Sequence, residues 1–81
     1  MKIPRDISGE DFVIKLQKFG YQISRQTGSH IRLTTYQSGV HHITIPNHNS
    51  LRIGTLSSIL SDISNHLEIE KSELIKELFY I

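Results

Sequence analysis

Cysteine is absent from this 81-residue chain, which removes disulfides and thiolate metal sites and fits a reducing compartment. No apolar run approaches the roughly eighteen residues that mark a membrane helix. The first residues, Met1 to Asp6, lack the apolar core of a secretory signal. The expectation is a soluble, cytoplasmic protein with no membrane association. There is no internal repeat and no low-complexity segment. One domain is expected at this length, burying only about 60–65% of the surface its unfolded chain exposes, so its core will be thin.

The most informative absence is that of carboxylates. Between Phe12 and Ser61 there is no Asp or Glu, while Lys15, Lys18, Arg25, Arg32 and Arg52 all fall inside that stretch. Asp6, Glu10 and Asp11 precede it, and Asp62, Glu68, Glu70, Glu73 and Glu77 follow it. A net charge of +1 conceals this segregation. The middle of the chain carries a positive field that suits polyanions, and the C-terminal part a negative one.

Periodicity supplies the elements. Ser8 is a good N-cap, with Asp11 placed for a capping box and Glu10 in the first turn. Phe12, Val13, Leu16 and Phe19 then follow at helical spacing until Gly20, which predicts a helix over Ser8 to Phe19. Tyr21, Ile23 and Arg25 alternate with Gln22, Ser24 and Gln26, the period of a half-buried strand. After a turn at Thr27-Gly28, Ser29 to Thr35 alternates again, with Ile31 and Leu33 on one face and His30, Arg32 and Thr34 on the other. Gln37-Ser38-Gly39 breaks this strand, and a third, Val40 to Ile45, stops at Pro46. Ile31 and Leu33 must share a face with Ile43 and Ile45. A five-residue loop from Thr35 to Gly39 then sets Ile31 opposite Ile43, His30 opposite Thr44 and Arg32 opposite His42.

Gly54-Thr55 opens a second helix whose core stripe is Leu56, Ile59, Leu60, Ile63 and Leu67, with a serine-rich outer side of Ser57, Ser58, Ser61 and Ser64. A short acidic helix follows, about Glu70 to Phe79, and is expected on the outside of the fold. This order predicts an α+β sandwich with the helices on one face of a three-stranded antiparallel sheet. The other face is free, polar and basic.

Chemistry at neutral pH without carboxylates or thiols falls to histidine. His41 points toward the core by strand phase, so a structural, hydrogen-bonded role is expected. His42 is exposed and placed either to touch phosphate or to be solvated. His48, in an Asn-rich loop, is a candidate helper, and His66 near a helix end suits a dipole interaction. His41 and His42 are adjacent on a strand and diverge, which disfavours a shared metal. No metal or other cofactor is expected. His30 stands at the first exposed position after the Gly28-Ser29 turn. Cleavage of RNA fits this set, because the substrate's own 2′-hydroxyl is the nucleophile. The protein then supplies a proton-transfer group and cations, here Arg32 with Arg25 or a lysine, Lys15 or Lys18. The start of the second helix at Thr55 is either an ordinary cap or a further phosphate site. A module that grips RNA or a protein partner without cutting is the alternative.

Gly28-Ser29-His30, then Ile45-Pro46-Asn47-His48, then Leu51-Arg52-Ile53-Gly54-Thr55-Leu56-Ser57-Ser58-Ile59-Leu60, resembles the HicA (YcfA-like) toxins of bacterial and archaeal toxin–antitoxin systems. Ser8-Gly9 and Phe19-Gly20-Tyr21 fit the same pattern, and the likeness covers about residues 2 to 67. It implies a double-stranded-RNA-binding-like α-β-β-β-α fold and a ribosome-independent mRNA endoribonuclease, with His30 at the position of the family's catalytic histidine. It also implies a HicB-like antitoxin that covers the active face. The chain departs from the family in being nearly neutral and in having Arg32 alone, without aromatics, in the strand after His30.

Overall fold

A computed structural model describes residues 2–81. Its elements are α1 (Gly9–Leu16), β1 (Gln22–Gln26), β2 (His30–Thr35), β3 (His41–Pro46), α2 (Ile53–Leu67) and α3 (Lys71–Phe79), with a 3₁₀ turn over Gln17–Phe19 extending α1. The sheet is antiparallel in the order β1-β2-β3. This is the α+β architecture read from the periodicity, an open sheet in α-β-β-β-α order followed by one more helix.

Local chemistry accounts for the ends of α1. The Ser8 hydroxyl accepts from the Asp11 amide at 3.0 Å, satisfying one of the donors that a helix start leaves free. Gly20 closes the 3₁₀ turn at φ 80°, in the left-handed region. Gly9 has a different task. A Cβ there would run into the carbonyl oxygen of Pro46, and the Gly9 amide donates to the His48 carbonyl at 2.9 Å. The start of α1 is therefore seated directly on the end of β3.

Ile31, Leu33, Ile43 and Ile45 point to one side of the sheet and are buried against Phe12, Val13 and Leu16 of α1 and Leu56, Leu60 and Ile63 of α2. Each such side chain contributes roughly 1.5–3 kcal/mol when fully buried. α3 does not lie outside this core, as its acidity suggested. Leu74, Ile75 and Leu78 are buried in the same cluster, and Phe79 stacks on Phe12 with ring centroids 6.1 Å apart. The charges of α3 occupy only its outer side, and its apolar stripe closes the open end of a thin core.

The second helix also starts earlier than expected. Arg52, not Gly54 or Thr55, is its N-cap, and no side chain caps it. Its serines are not an exposed stripe: Ser57 and Ser61 each accept from the Lys71 ammonium at 2.7 Å, and Ser64 is buried. Ser57 and Ser61 form a polar seam between α2 and α3, while Ser58 stays exposed.

Two strand readings change. The β2–β3 pairing sets Ile31 opposite Ile45, His30 opposite Pro46, Arg32 opposite Thr44 and Thr34 opposite His42. The ladder is therefore shifted by two residues from the expected register, and the loop runs from Tyr36 to Val40. A shift of two preserves which side chains face the core, which is why alternation alone could not detect it. In β1 the ladder slips between Ile23 and Arg25: Ile23 pairs with Leu33, and Arg25 pairs with Arg32. Ser24 is the extra residue of a β-bulge, so simple alternation fails there. Ile23, on the core side at the sheet edge, stays 49% exposed.

At one end of the core, Tyr21, fully buried, donates its hydroxyl to Nδ1 of His41 at 2.7 Å, and Nε2 of His41 reaches Asp62 at 3.2 Å. His41 thus fills the structural role expected of it. His66 stacks on His41 at 4.3 Å, and its Nε2 donates to the carbonyls of Gln37 and Gly39 at 2.9 and 3.1 Å. It is a clamp on the β2–β3 loop rather than a simple partner of the helix dipole.

Gly9→Ala should destabilise the fold by roughly 1–3 kcal/mol, the usual cost of overpacking, read as a lower urea midpoint with an unchanged slope. Burial, and secondarily the Asp62 charge, push the Tyr21 hydroxyl up from 10.0 to about 12. The folded state then keeps a proton that the unfolded chain has lost, so stability falls as pH rises from about 10 to about 12. Denaturation curves across that range should show a loss on the order of 2 kcal/mol in the wild type that is missing in Tyr21→Phe.

Candidate functional site

Pairing parity fixes the open face. Residues opposite one another in an antiparallel ladder share a face, so His30, Arg32 and Thr34 of β2 stand with His42 and Thr44 of β3. The bulge at Ser24 adds a residue that alternation had placed on the other side, because Arg25 pairs with Arg32 and joins it on the open face. His30, Arg25, Arg32, His42 and Thr44 are all exposed. Among the described residues neither arginine has an ion pair; the pairs that form are Lys18–Glu77 and His41–Asp62.

His30 opens β2 directly after the Gly28-Ser29 turn, where the Thr27 amide donates to the His30 carbonyl at 3.0 Å. The Ser29 hydroxyl lies 3.1 Å from Nδ1 of His30. That contact engages one ring nitrogen and leaves Nε2 without a hydrogen bond among the described residues. Gly28 does not adopt a positive φ, and a Cβ there would meet nothing within 4 Å. The fold itself does not demand glycine at this position; a bare backbone there allows close approach to the His30 turn.

The loop after β3 is tied to the same turn. The Asn47 amide donates to the Ser29 carbonyl at 3.0 Å, and the Asn47 side chain to the Gly28 carbonyl at 3.4 Å. His48, exposed, follows immediately. The structure therefore brings Gly28, Ser29, His30 and His48 to one end of the sheet.

Further along the face, proton bookkeeping fixes the state of His42. The Thr34 hydroxyl donates to Ser24 Oγ at 2.8 Å, and the Ser24 hydroxyl donates in turn to the Arg32 carbonyl at 3.3 Å. Thr34 has one proton to give, so its 2.7 Å contact with Nδ1 of His42 must be donated by the imidazole. In neutral His42 the outer nitrogen, Nε2, is then an acceptor. Arg32, His42 and Thr44 share an open cavity of about 590 Å³ with Ser58, Ile59 and Asp62 of α2.

Other sequence candidates lie elsewhere. Lys18 is bound to α3, its ammonium 2.9 Å from the Glu77 carboxylate and 3.0 Å from the Glu77 carbonyl. Lys15, on the same helix, stands 5.8 Å from the centroid of the Phe79 ring. Thr55 is the third residue of α2, half-buried, and the start of that helix borders a cavity lined by Arg5, Asp6, Ser50 and Arg52. These three residues are not part of the His30 row. Among the described residues no three His, Asp or Glu side chains converge to hold a metal ion, and no helix is long and apolar enough to cross a membrane.

No curated protein and no solved structure matches the chain. A family model described as the HicA toxin of bacterial toxin–antitoxin systems matches residues 9–64. That span begins at the first residue of α1 and ends inside α2, so it contains all three strands and every residue of the open face, and leaves α3 outside. By this match the chain belongs to the HicA toxin family of bacterial toxin–antitoxin systems.

Proposed function

We propose that the chain is an mRNA-cleaving toxin, a metal-independent endoribonuclease with a double-stranded-RNA-binding-like fold, in which His30 transfers the proton. The observation that carries this reading is a solvent-exposed imidazole, held through Nδ1 by Ser29, on a sheet face where Arg25 and Arg32 have no carboxylate partner.

The chemistry follows from what that face offers. Nε2 of His30 takes the proton of a ribose 2′-hydroxyl as its oxygen attacks the adjacent phosphorus. The bond from phosphorus to the 5′ oxygen breaks, and a 2′,3′-cyclic phosphate forms. Charge accumulates on the non-bridging oxygens, where two unpaired guanidinium groups on the same face stabilise it. The departing 5′ oxygen needs a proton, and His48 is the histidine whose loop is tied to the Gly28-Ser29 turn. Single-stranded mRNA is the substrate, and no cofactor takes part.

A toxin of this family works against an antitoxin. We assign a HicB-like protein to that role, occupying the open face and so withholding His30 from RNA in the cytoplasm. The face is well suited to such control, because it is exposed along β2 and β3 and carries the cations an acidic partner would seek.

Cleavage of a labelled single-stranded RNA in excess chelator should leave a 2′,3′-cyclic phosphate, and His30→Ala should slow it by on the order of 10²- to 10⁴-fold. Undiminished cleavage by that variant would overturn the assignment. Arg32→Ala should weaken RNA binding and reduce the steepness of its salt dependence by roughly 0.7 in the log–log slope, the share of one single-strand phosphate. Binding without any cleavage by the wild type would instead favour a module that grips RNA and does not cut it.

A further inference from the structure

The chain's three tyrosines have different fates. Tyr21 is buried on His41, and Tyr80 donates its hydroxyl to the Lys2 carbonyl at 2.7 Å. Tyr36 is 78% exposed, and its hydroxyl has no partner among the described residues. It immediately follows β2, and strand alternation makes it the next member of the row His30, Arg32, Thr34.

The cavity it lines supports that placement. Tyr36 lines a space of about 270 Å³ together with Gly20, Gln22, Ile23, Ser24 and Thr34. Gln22 pairs with Thr34 and so belongs to the open face, and its side-chain amide has no hydrogen bond among the described residues. No carboxylate lines this space. The loop that carries Tyr36 is also held in place, since His66 grips it through the carbonyls of Gln37 and Gly39.

We propose that this corner of the sheet is a nucleobase subsite, in which a base stacks on the Tyr36 ring with its edge toward the Gln22 amide. The inference rests on the RNA reading above. An exposed aromatic on a sheet, beside free amide and hydroxyl groups and beyond a row of cations, matches what an unpaired base requires: a flat apolar face and polar edges. From His30 to Tyr36 the strand rise gives about 20 Å. The stacked base is thus several nucleotides from the cleaved phosphate, and the subsite sets where along a single strand the cut falls.

The test is binding of a labelled, fully 2′-O-methylated RNA, which the wild-type protein cannot cleave because its nucleophile is blocked. Tyr36→Ala should weaken binding by about 5- to 100-fold, the usual worth of one stacked base, and Tyr36→Phe should leave it nearly unchanged. The salt slope should stay that of the wild type in Tyr36→Ala and fall in Arg32→Ala. An abasic nucleotide moved along the strand should cost the wild type the same factor at one position and cost Tyr36→Ala nothing further there. If Tyr36→Ala binds as tightly as the wild type while Arg32→Ala is weakened, the subsite is wrong and the RNA-binding face stands; the ring then belongs to a protein-partner surface. A loss in Tyr36→Ala that is equal on intact and abasic strands also overturns the subsite. If the wild type does not bind the RNA at all, the RNA reading falls and the subsite falls with it.

Discussion

The pleat of β2 decides everything displayed on the open face. Ile31 and Leu33 have to be buried, since they stand at the centre of a core with little to spare. Their burial forces the intervening residues the other way, and those residues are His30, Arg32 and Thr34. Chemistry-bearing side chains are therefore sent to the open face by the free energy of burying their neighbours, and the two imidazoles are then held there by Ser29 and Thr34. β3 reinforces the choice with Ile43 and Ile45, and the start of α1, resting on Pro46, fixes the end of the sheet where His30 stands.

What could be read in the sequence follows from the same constraint. The order of elements, the faces of β2 and β3 and the exposure of His30 all follow from period-2 and period-3.6 patterns, which report burial. Features that do not change burial escaped. The two-residue register shift leaves the buried set intact, so only the loop boundary and the pairing of Pro46 with His30 reveal it. The bulge at Ser24 sits in an edge strand that is exposed along its whole length, where no burial pattern exists to mark it. α3 was misplaced because its charges are conspicuous and its stripe of Leu74, Ile75 and Leu78 is short. Tyr36 lies just beyond β2, in a loop whose bounds fall one residue later than expected.

The histidines show how partners rather than residue type assign roles. His41 and His66 are drawn into a stacked pair that joins α2 to the hairpin loop, and Tyr21 and Asp62 complete it. His42 is locked by Thr34 in one tautomer. His30 is engaged only by the adjacent Ser29. Two histidines thus act as structural fasteners, and two strand histidines keep one nitrogen available, although all lie on or against the same sheet. The fastened pair has an indirect hold on the open face, because it anchors the loop bearing Tyr36.

The bulge in β1 makes the electrostatics of the open face a matter of local register. Arg25 reaches that face only because one surplus residue, Ser24, is accommodated without a partner opposite it. Were Ser24 instead to pair with Arg32 in an even ladder, the Arg25 guanidinium would swing round to the helical layer, halving the arginine charge beside His30 while leaving the net charge of the chain unchanged. The grip of this face on polyanions therefore depends on a local slip in one edge strand, a feature that composition and isoelectric point do not register.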